Sequence, residues 1–191
     1  MDNNTMKRYE CLKRCVTDRK EGFNQLIDFL EEKTDWLNSP ASTKYHLNRQ
    51  GGLLEHSCNV AETLLKLKAM LAPDISEESC VICGLFHDLG KAGMPGNPQY
   101  LINEKSLKQQ TNEYFVQHPY VFNKSLTYLS VPVRSLYLIL PYLKLEEDEV
   151  QAIMYHDGQY VDANKDVAAK EEKLTLLLQY ADNWSGFVIE K

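Results

Sequence analysis

The 191-residue chain has no excess of positive charge: Lys and Arg number 21 against 27 Asp and Glu, a formal net charge of −6. Broad binding of nucleic acid needs a basic face that displaces counterions from phosphates, so extended nucleic acid is not an expected partner. A local site for a single phosphate stays compatible with this balance. No uncharged apolar run approaches the roughly 20 residues of a membrane helix. The polar start Met1-Asp2-Asn3-Asn4 also lacks the apolar stretch of a secretion signal. A soluble cytoplasmic protein with no membrane partner is the expectation. Cysteine is scarce, five residues at irregular spacing, which suits reduced thiols better than a disulfide framework. Repeats, low-complexity tracts and a convincing domain boundary are all missing, so residues 1–191 are expected to form one domain with its own core.

What is present is helical periodicity. Phe23, Leu26, Ile27 and Leu30 recur at i, i+3, i+4 and i+7 and predict a helix over about 20–33. Leu53, His56, Val60, Leu64 and Leu67 share one face of a second helix, which Pro73 ends. Asp74-Ile75-Ser76-Glu77 offers a capping box for a third, running to about Asp88 with Gly90 as its stop. Further helices are expected over Leu136–Leu143, with Pro132 in the first turn, over Glu146–His156, and over about 170–184. The stretch from about 91 to 131 differs. It carries Pro95, Gly96, Pro98 and Pro119 among scattered aromatics, and reads as an irregular insertion or lid with room for a short hairpin. The expected fold class is an all-α bundle with that one excursion.

Several polar residues occupy apolar positions. Asp182 lies i+4 from Leu178 and i+8 from Leu174, on the apolar stripe of the last helix. An unpaired carboxylate buried there would cost several kcal/mol, roughly. His56 sits on the apolar stripe of its own helix. His87 and Asp88 end the apolar run Cys80-Val81-Ile82-Cys83-Gly84-Leu85-Phe86, with Gly84 one turn below to allow close helix approach. A lone buried histidine is commonly a satisfied core residue, and a helix-terminal His-Asp is commonly a cap. Three separate helices each pointing His or Asp inward are most economically compensated by one shared divalent metal.

The order His, then His-Asp, then Asp resembles the HD superfamily of metal-dependent phosphohydrolases. The matching segments are Gly51-Gly52-Leu53-Leu54-Glu55-His56-Ser57, Gly84-Leu85-Phe86-His87-Asp88-Leu89-Gly90-Lys91 and Gln179-Tyr180-Ala181-Asp182. On this resemblance, residues 40–187 form the HD core and 1–39 an N-terminal helical extension. It implies one divalent ion (Mn, Fe, Mg, Ni or Zn) held by His56, His87, Asp88 and Asp182. It also implies hydrolysis of a phosphomonoester or phosphodiester by a metal-activated water. Lys91 would by analogy neutralise charge on the phosphate. Two-metal relatives often carry a histidine just before the Arg-Ser-Leu-Tyr-Leu stretch. Here Val133 precedes Arg134-Ser135-Leu136-Tyr137-Leu138, which argues against a complete second metal site. His156 is then assigned to phosphate binding or to general-acid catalysis, the other reading being a helix-terminal residue facing the dipole.

Arg49, Arg134 and His118 are the remaining substrate-binding candidates, His118 because it lies within the insertion. The expected partner is a small phosphorylated substrate such as a nucleotide or short oligonucleotide. Two other functions carry the same motif: a non-catalytic nucleotide-sensing module, and a di-iron oxygenase, which Val133 disfavours. Cys80-x-x-Cys83 lies inside an apolar helix with no second pair, so it reads as core. Glu146-Glu147-Asp148-Glu149 reads as a helix N-terminus that complements the dipole.

Overall fold

The computed structural model describes residues 2–104 and 118–191; the part of the expected insertion over 105–117 lies outside the described residues. The fold is mostly helical, as the periodicity predicts, with a single two-stranded sheet among the described residues. Helix α1 spans Asn3–Lys13, and the Asp2 side chain caps it by accepting from Asn4 N. Helix α2 spans Lys20–Lys33 and α3 spans Gly52–Leu71, both at the bounds that their apolar stripes predict. Gly51 enters α3 at φ 76°, a left-handed conformation that glycine adopts without a Cβ clash.

Helix α4 spans Glu77–Phe86, with the Ser76 hydroxyl accepting from Ser79 N as its cap. It ends two residues earlier than the expected Asp88. His87 is its C-cap, and Asp88 leaves the helix at φ −102°, ψ 10° before a short turn at Leu89–Ala92. That exit matters, because it turns two consecutive side chains toward one point instead of about 100° apart around a helix.

Strands β1 (Tyr100–Ile102) and β2 (Tyr120–Phe122) pair antiparallel, with Leu101 opposite Val121. The excursion therefore contains a small two-stranded element. Helix α5 spans Val131–Ile139, with Ser130 at its N-cap position and Pro132 in its first turn as expected, and it stops short of the expected Leu143. Helix α6 spans Glu147–Met154. Two short turns, Gly158–Tyr160 and Asp162–Val167, lead to α7 over Lys173–Trp184, which runs on into a wider turn at Ser185–Ile189.

One apolar core runs through these helices. Leu53, Val60 and Leu64 of α3 meet Val81, Leu85 and Phe86 of α4 and Leu174, Leu178 and Ala181 of α7. The N-terminal helices join the same core through Tyr9, Leu12, Phe23 and Leu26. Trp36 is fully buried beside Phe86, and its indole N–H donates to the Tyr9 hydroxyl at 3.2 Å. Helix α3 is central, packing against α1, α4 and α7. A Cβ on Gly84 would stand 2.5 Å from Ala61 Cα, so α3 and α4 approach to a distance that only glycine permits. Cys80 and Cys83 are buried and all five cysteines are free. Burial pushes the Cys80 thiol up to about 12 and that of Cys83 well upward, which makes both inert core side chains.

The four-acid run is more than a solvated helix start. Glu146 and Glu149 form a reciprocal capping box at the start of α6. Glu149 is also fully buried, and both its oxygens accept from the Arg19 guanidinium at 2.6 and 2.7 Å. Arg19 Nε donates to Glu78 as well, at 2.6 Å.

Candidate metal centre

Three helices deliver the candidate ligands. His56 projects from the first turns of α3, His87 and Asp88 from the exit of α4, and Asp182 from the last turn of α7. His56, His87 and Asp88 are at most 3% exposed, while the Asp182 side chain is 23% exposed and forms the open side. His56 Nε2 lies 3.1 Å from Asp182 Oδ1 and 3.6 Å from Asp88 Oδ2. His87 Nε2 lies 3.6 Å from Asp88 Oδ2, 3.8 Å from Asp182 Oδ1 and 3.3 Å from His56 Nε2.

The outer nitrogen of each ring fixes its tautomer. His87 Nδ1–H donates to Gly84 O at 2.9 Å, and His156 Nδ1–H donates to Ile153 O at 2.8 Å. His56 Nδ1–H faces both oxygens of Glu190, at 3.0 and 3.1 Å. With those protons placed, a neutral ring presents a lone pair at Nε2. The two Nε2 atoms that face each other, with carboxylate oxygens on either side, are then all acceptors and need a cation or an extra proton between them. Imidazole nitrogens and carboxylates at this spacing fit a divalent ion of intermediate hardness. Two clusters of ligating atoms meet here, His56–His87–Asp182 and His87–Asp88–His156, each within 4.8 Å.

The titration behaviour reflects the same crowding. Burial alone would pull His56 down, but Asp182 and Glu190 hold it up at about 10. His156 is likewise lowered by burial and raised more strongly by Asp88 and Asp157, to about 9. Burial pulls His87 down to about 4; Asp88 opposes this, and the neighbouring histidines add to it. Both carboxyls lie well below the ordinary range. Burial opposes this, and is overcome at Asp88 by Lys91 and the histidines and at Asp182 by His56.

Among the other sequence candidates, two join the centre. Lys91 Nζ is 2.5 Å from Asp88 Oδ2, and His156 Nε2 is 3.4 Å from Asp88 Oδ1. Three stand apart. Arg49 is mostly exposed and pairs with Glu55 on the first turn of α3. Arg134 is 2% exposed, and its guanidinium donates to Gln99 Oε1 at 2.6 Å and Thr127 O at 2.7 Å. It thereby fastens the base of the two-stranded element to α5. His118 sits just before β2, where its carbonyl accepts from Asn103, and belongs to neither cluster. Sequence reasoning missed Glu190. The wider turn after α7, closed by Glu190 N to Ser185 O at 3.1 Å, takes up extra residues, so α-helical spacing does not report where Glu190 faces.

The centre opens through Asp182 into a cleft of about 540 Å³ lined by His46, Asp157, Tyr160, Asn183 and Phe187, among others. Tyr160 and Phe187 line it and are both exposed, and among the described residues its lining holds no Lys or Arg.

A family model described as HD domain matches residues 53–184. The chain belongs to the HD domain family. The matched span contains His56, His87, Asp88 and Asp182 and stops short of Glu190. No curated protein and no solved structure matches the chain. HD domains are in general metal-dependent hydrolases that bind divalent metals, and the His/Asp clusters of this one are able to hold metal. Among the described residues no helix is long and apolar enough to cross a membrane.

Proposed function

We propose that this HD domain hydrolyses a phosphomonoester or phosphodiester, a nucleotide or short oligonucleotide, with one divalent ion held by His56, His87, Asp88 and Asp182. The observation that carries this reading is the meeting of imidazole lone pairs and carboxylate oxygens with Lys91 beside them and one open side. A divalent ion there supplies polarisation of a phosphoryl oxygen and a bound water of lowered pKa. The protein supplies the rest. Lys91, kept charged by Asp88, neutralises phosphate charge that grows toward the transition state. His156, held by its Nδ1–H bond and kept charged by Asp88 and Asp157, gives its inward Nε2 proton to the leaving oxygen. Burial of His56, His87 and Asp88 limits the access of bulk water to their side of the centre.

The cleft supports a small substrate. Among the described residues its lining has no Lys or Arg to track a polyanionic strand, whereas Tyr160 and Phe187 offer faces on which a base stacks. Arg49, Arg134 and His118 would meet substrate only after leaving the partners described above, and rank below Lys91 and His156. Residues 1–39 are proposed to fold with 40–187 as one unit, because Tyr9, Leu12 and Phe23 enter the shared core. The protein is proposed to act in the cytoplasm.

The test is metal analysis of protein purified without added ions, followed by a phosphoester panel with His87→Ala as control. The reading expects bound divalent metal, turnover of at least one nucleotide or phosphoester, and loss of both in the variant. Metal without turnover, together with tight nucleotide binding, would make the protein a sensing module instead. A di-iron spectroscopic signature would point to oxygenase chemistry.

A further inference from the structure

Glu190 lies outside the segment that matches the family model, yet its side chain is 1% exposed and touches the centre. A buried carboxylate is costly unless it is hydrogen-bonded, and this one accepts from His56 and Asn59. Its Oε1 accepts from His56 Nδ1–H at 3.0 Å and from the Asn59 amide at 2.8 Å, and its Oε2 lies 3.1 Å from His56 Nδ1 and 3.6 Å from His46 Nε2. Asn59 is oriented in turn from the other end of the chain. Arg8 of α1 donates to Asn59 Oδ1 at 2.6 Å while holding both oxygens of Glu62 at 2.9 Å. A fixed Oδ1 leaves the Asn59 amide nitrogen pointing at Glu190.

From this geometry we infer that Glu190 is a positioning residue for the metal centre, holding His56 in the Nδ1–H tautomer with Nε2 presented to the ion, and that Arg8 and Asn59 hold Glu190. The inference rests on the reading of His56 as a metal ligand. A carboxylate behind a ligating imidazole fixes the ring and raises the basicity of the ligating nitrogen, and losing such a partner typically weakens metal affinity about 10- to 100-fold. His46, His56 and Glu190 also lie close enough together to be considered for an ion of their own. That ion would need His56 Nδ1 without its proton while Nε2 serves the main centre, an imidazolate that the hydrogen bond makes unnecessary. Both ends of the chain thus reach the ligand that the central motif supplies. The HD core alone does not contain this relay.

The experiment titrates Mn²⁺ into metal-free full-length wild type, Glu190→Gln, Glu190→Asp, Asn59→Ala and His56→Ala, with the imidazole nitrogen resonances of His56 followed by NMR on the Mg²⁺- or Zn²⁺-bound forms. Glu190→Gln is expected to weaken Mn²⁺ binding about 10- to 100-fold and to shift or broaden the His56 Nδ1–H signal. Glu190→Asp should recover part of the affinity, and Asn59→Ala should lose a smaller factor in the same direction. If Glu190→Gln fails to fold, Asn59→Ala carries the test. Wild-type affinity in both folded variants overturns the inference, as does weaker binding with an unchanged His56 Nδ1–H signal. His56→Ala separates the two readings. Unchanged Mn²⁺ binding in that variant removes His56 as a ligand altogether, whereas lost binding there with full affinity in Glu190→Gln removes only the positioning role.

Discussion

Two buried clusters of ionisable groups lie toward opposite ends of α4 in this molecule, and they are built on opposite principles. In the first, Arg19 spends its planar fork on Glu78 and Glu149, and the second oxygen of Glu78 accepts from the backbone N–H groups of Thr17 and Asp18 at 2.8 and 2.9 Å. Every acceptor meets a donor. In the second, the outer nitrogens of His56, His87 and His156 are satisfied, while the inner Nε2 atoms of His56 and His87 and the oxygen of Asp182 meet acceptor to acceptor. The first cluster is complete as a protein; the second is complete only with a cation. Burial and charge are common to both, so neither property alone marks a functional site. Unmatched acceptors do.

The comparison can be broken at either cluster. The largest effect is expected from His87→Ala. Loss of a ligand should remove metal binding and several kcal/mol of transition-state stabilisation, about a thousandfold or more in rate, with the helices still folded by circular dichroism. Arg19→Ala should do the reverse. It leaves Glu149 buried without its cation and should destabilise the fold by about 3 kcal/mol, measured by urea unfolding, while Mn²⁺ affinity of the folded protein stays unchanged. If Arg19→Ala lowers metal affinity as much as stability, the two clusters are not independent.

Gly84→Ala tests the approach of α3 and α4. The added methyl would have to displace the backbone of Ala61, so a loss of about 1–3 kcal/mol is expected, accompanied by weaker metal binding because His56 and His87 ride on the two separated helices. Unchanged stability would mean that the helices part without resistance.

Acid distinguishes the clusters in a further way. Glu78 and Glu149 titrate below the usual 4.5; burial opposes this, and Arg19 overcomes it. The unfolded chain therefore takes up protons first as pH falls. The stability supplied by this cluster is present above about 4.5 and is lost as pH drops through the lower folded values. Arg19→Ala should flatten that part of the stability profile. At the metal centre the sign concerns affinity. In metal-free protein His56 holds its extra proton up to about 10, and an ion must displace it from Nε2. Metal binding should release protons and tighten as pH rises toward that value. Binding that is independent of pH would place the ion away from His56.

Much of this was legible in the residues. The stripes of α2, α3 and α7 reported their bounds closely because each buries one continuous face against the core. His56, His87, Asp88 and Asp182 stood out by the same logic, as polar side chains where the stripe required apolar ones. Other features escaped for local reasons. The true end of α4 at Phe86 depends on backbone angles at His87 and Asp88 that no periodicity encodes. Helix α5 stops at Ile139 rather than Leu143, next to Pro141, which has no N–H to continue the helical ladder. Arg134 looked available for substrate because a sequence shows its charge, while its bonds to Gln99 and Thr127 depend on how the excursion folds back. Glu190 was hidden by the wider turn at Ser185–Ile189, which breaks helical spacing. Glu149 reads from sequence only as part of an acidic helix N-terminus because its partner Arg19 is 130 positions away in the chain.

The central claim is that the inner atoms of His56, His87, Asp88 and Asp182 form one cation site. Calorimetric titration of Mn²⁺ into metal-free wild type and His87→Ala near neutral pH tests it most directly. The account predicts one ion per wild-type chain, protons released on binding, and no comparable binding by the variant. Saturable binding of equal affinity in His87→Ala, or no binding to the wild type, would contradict it.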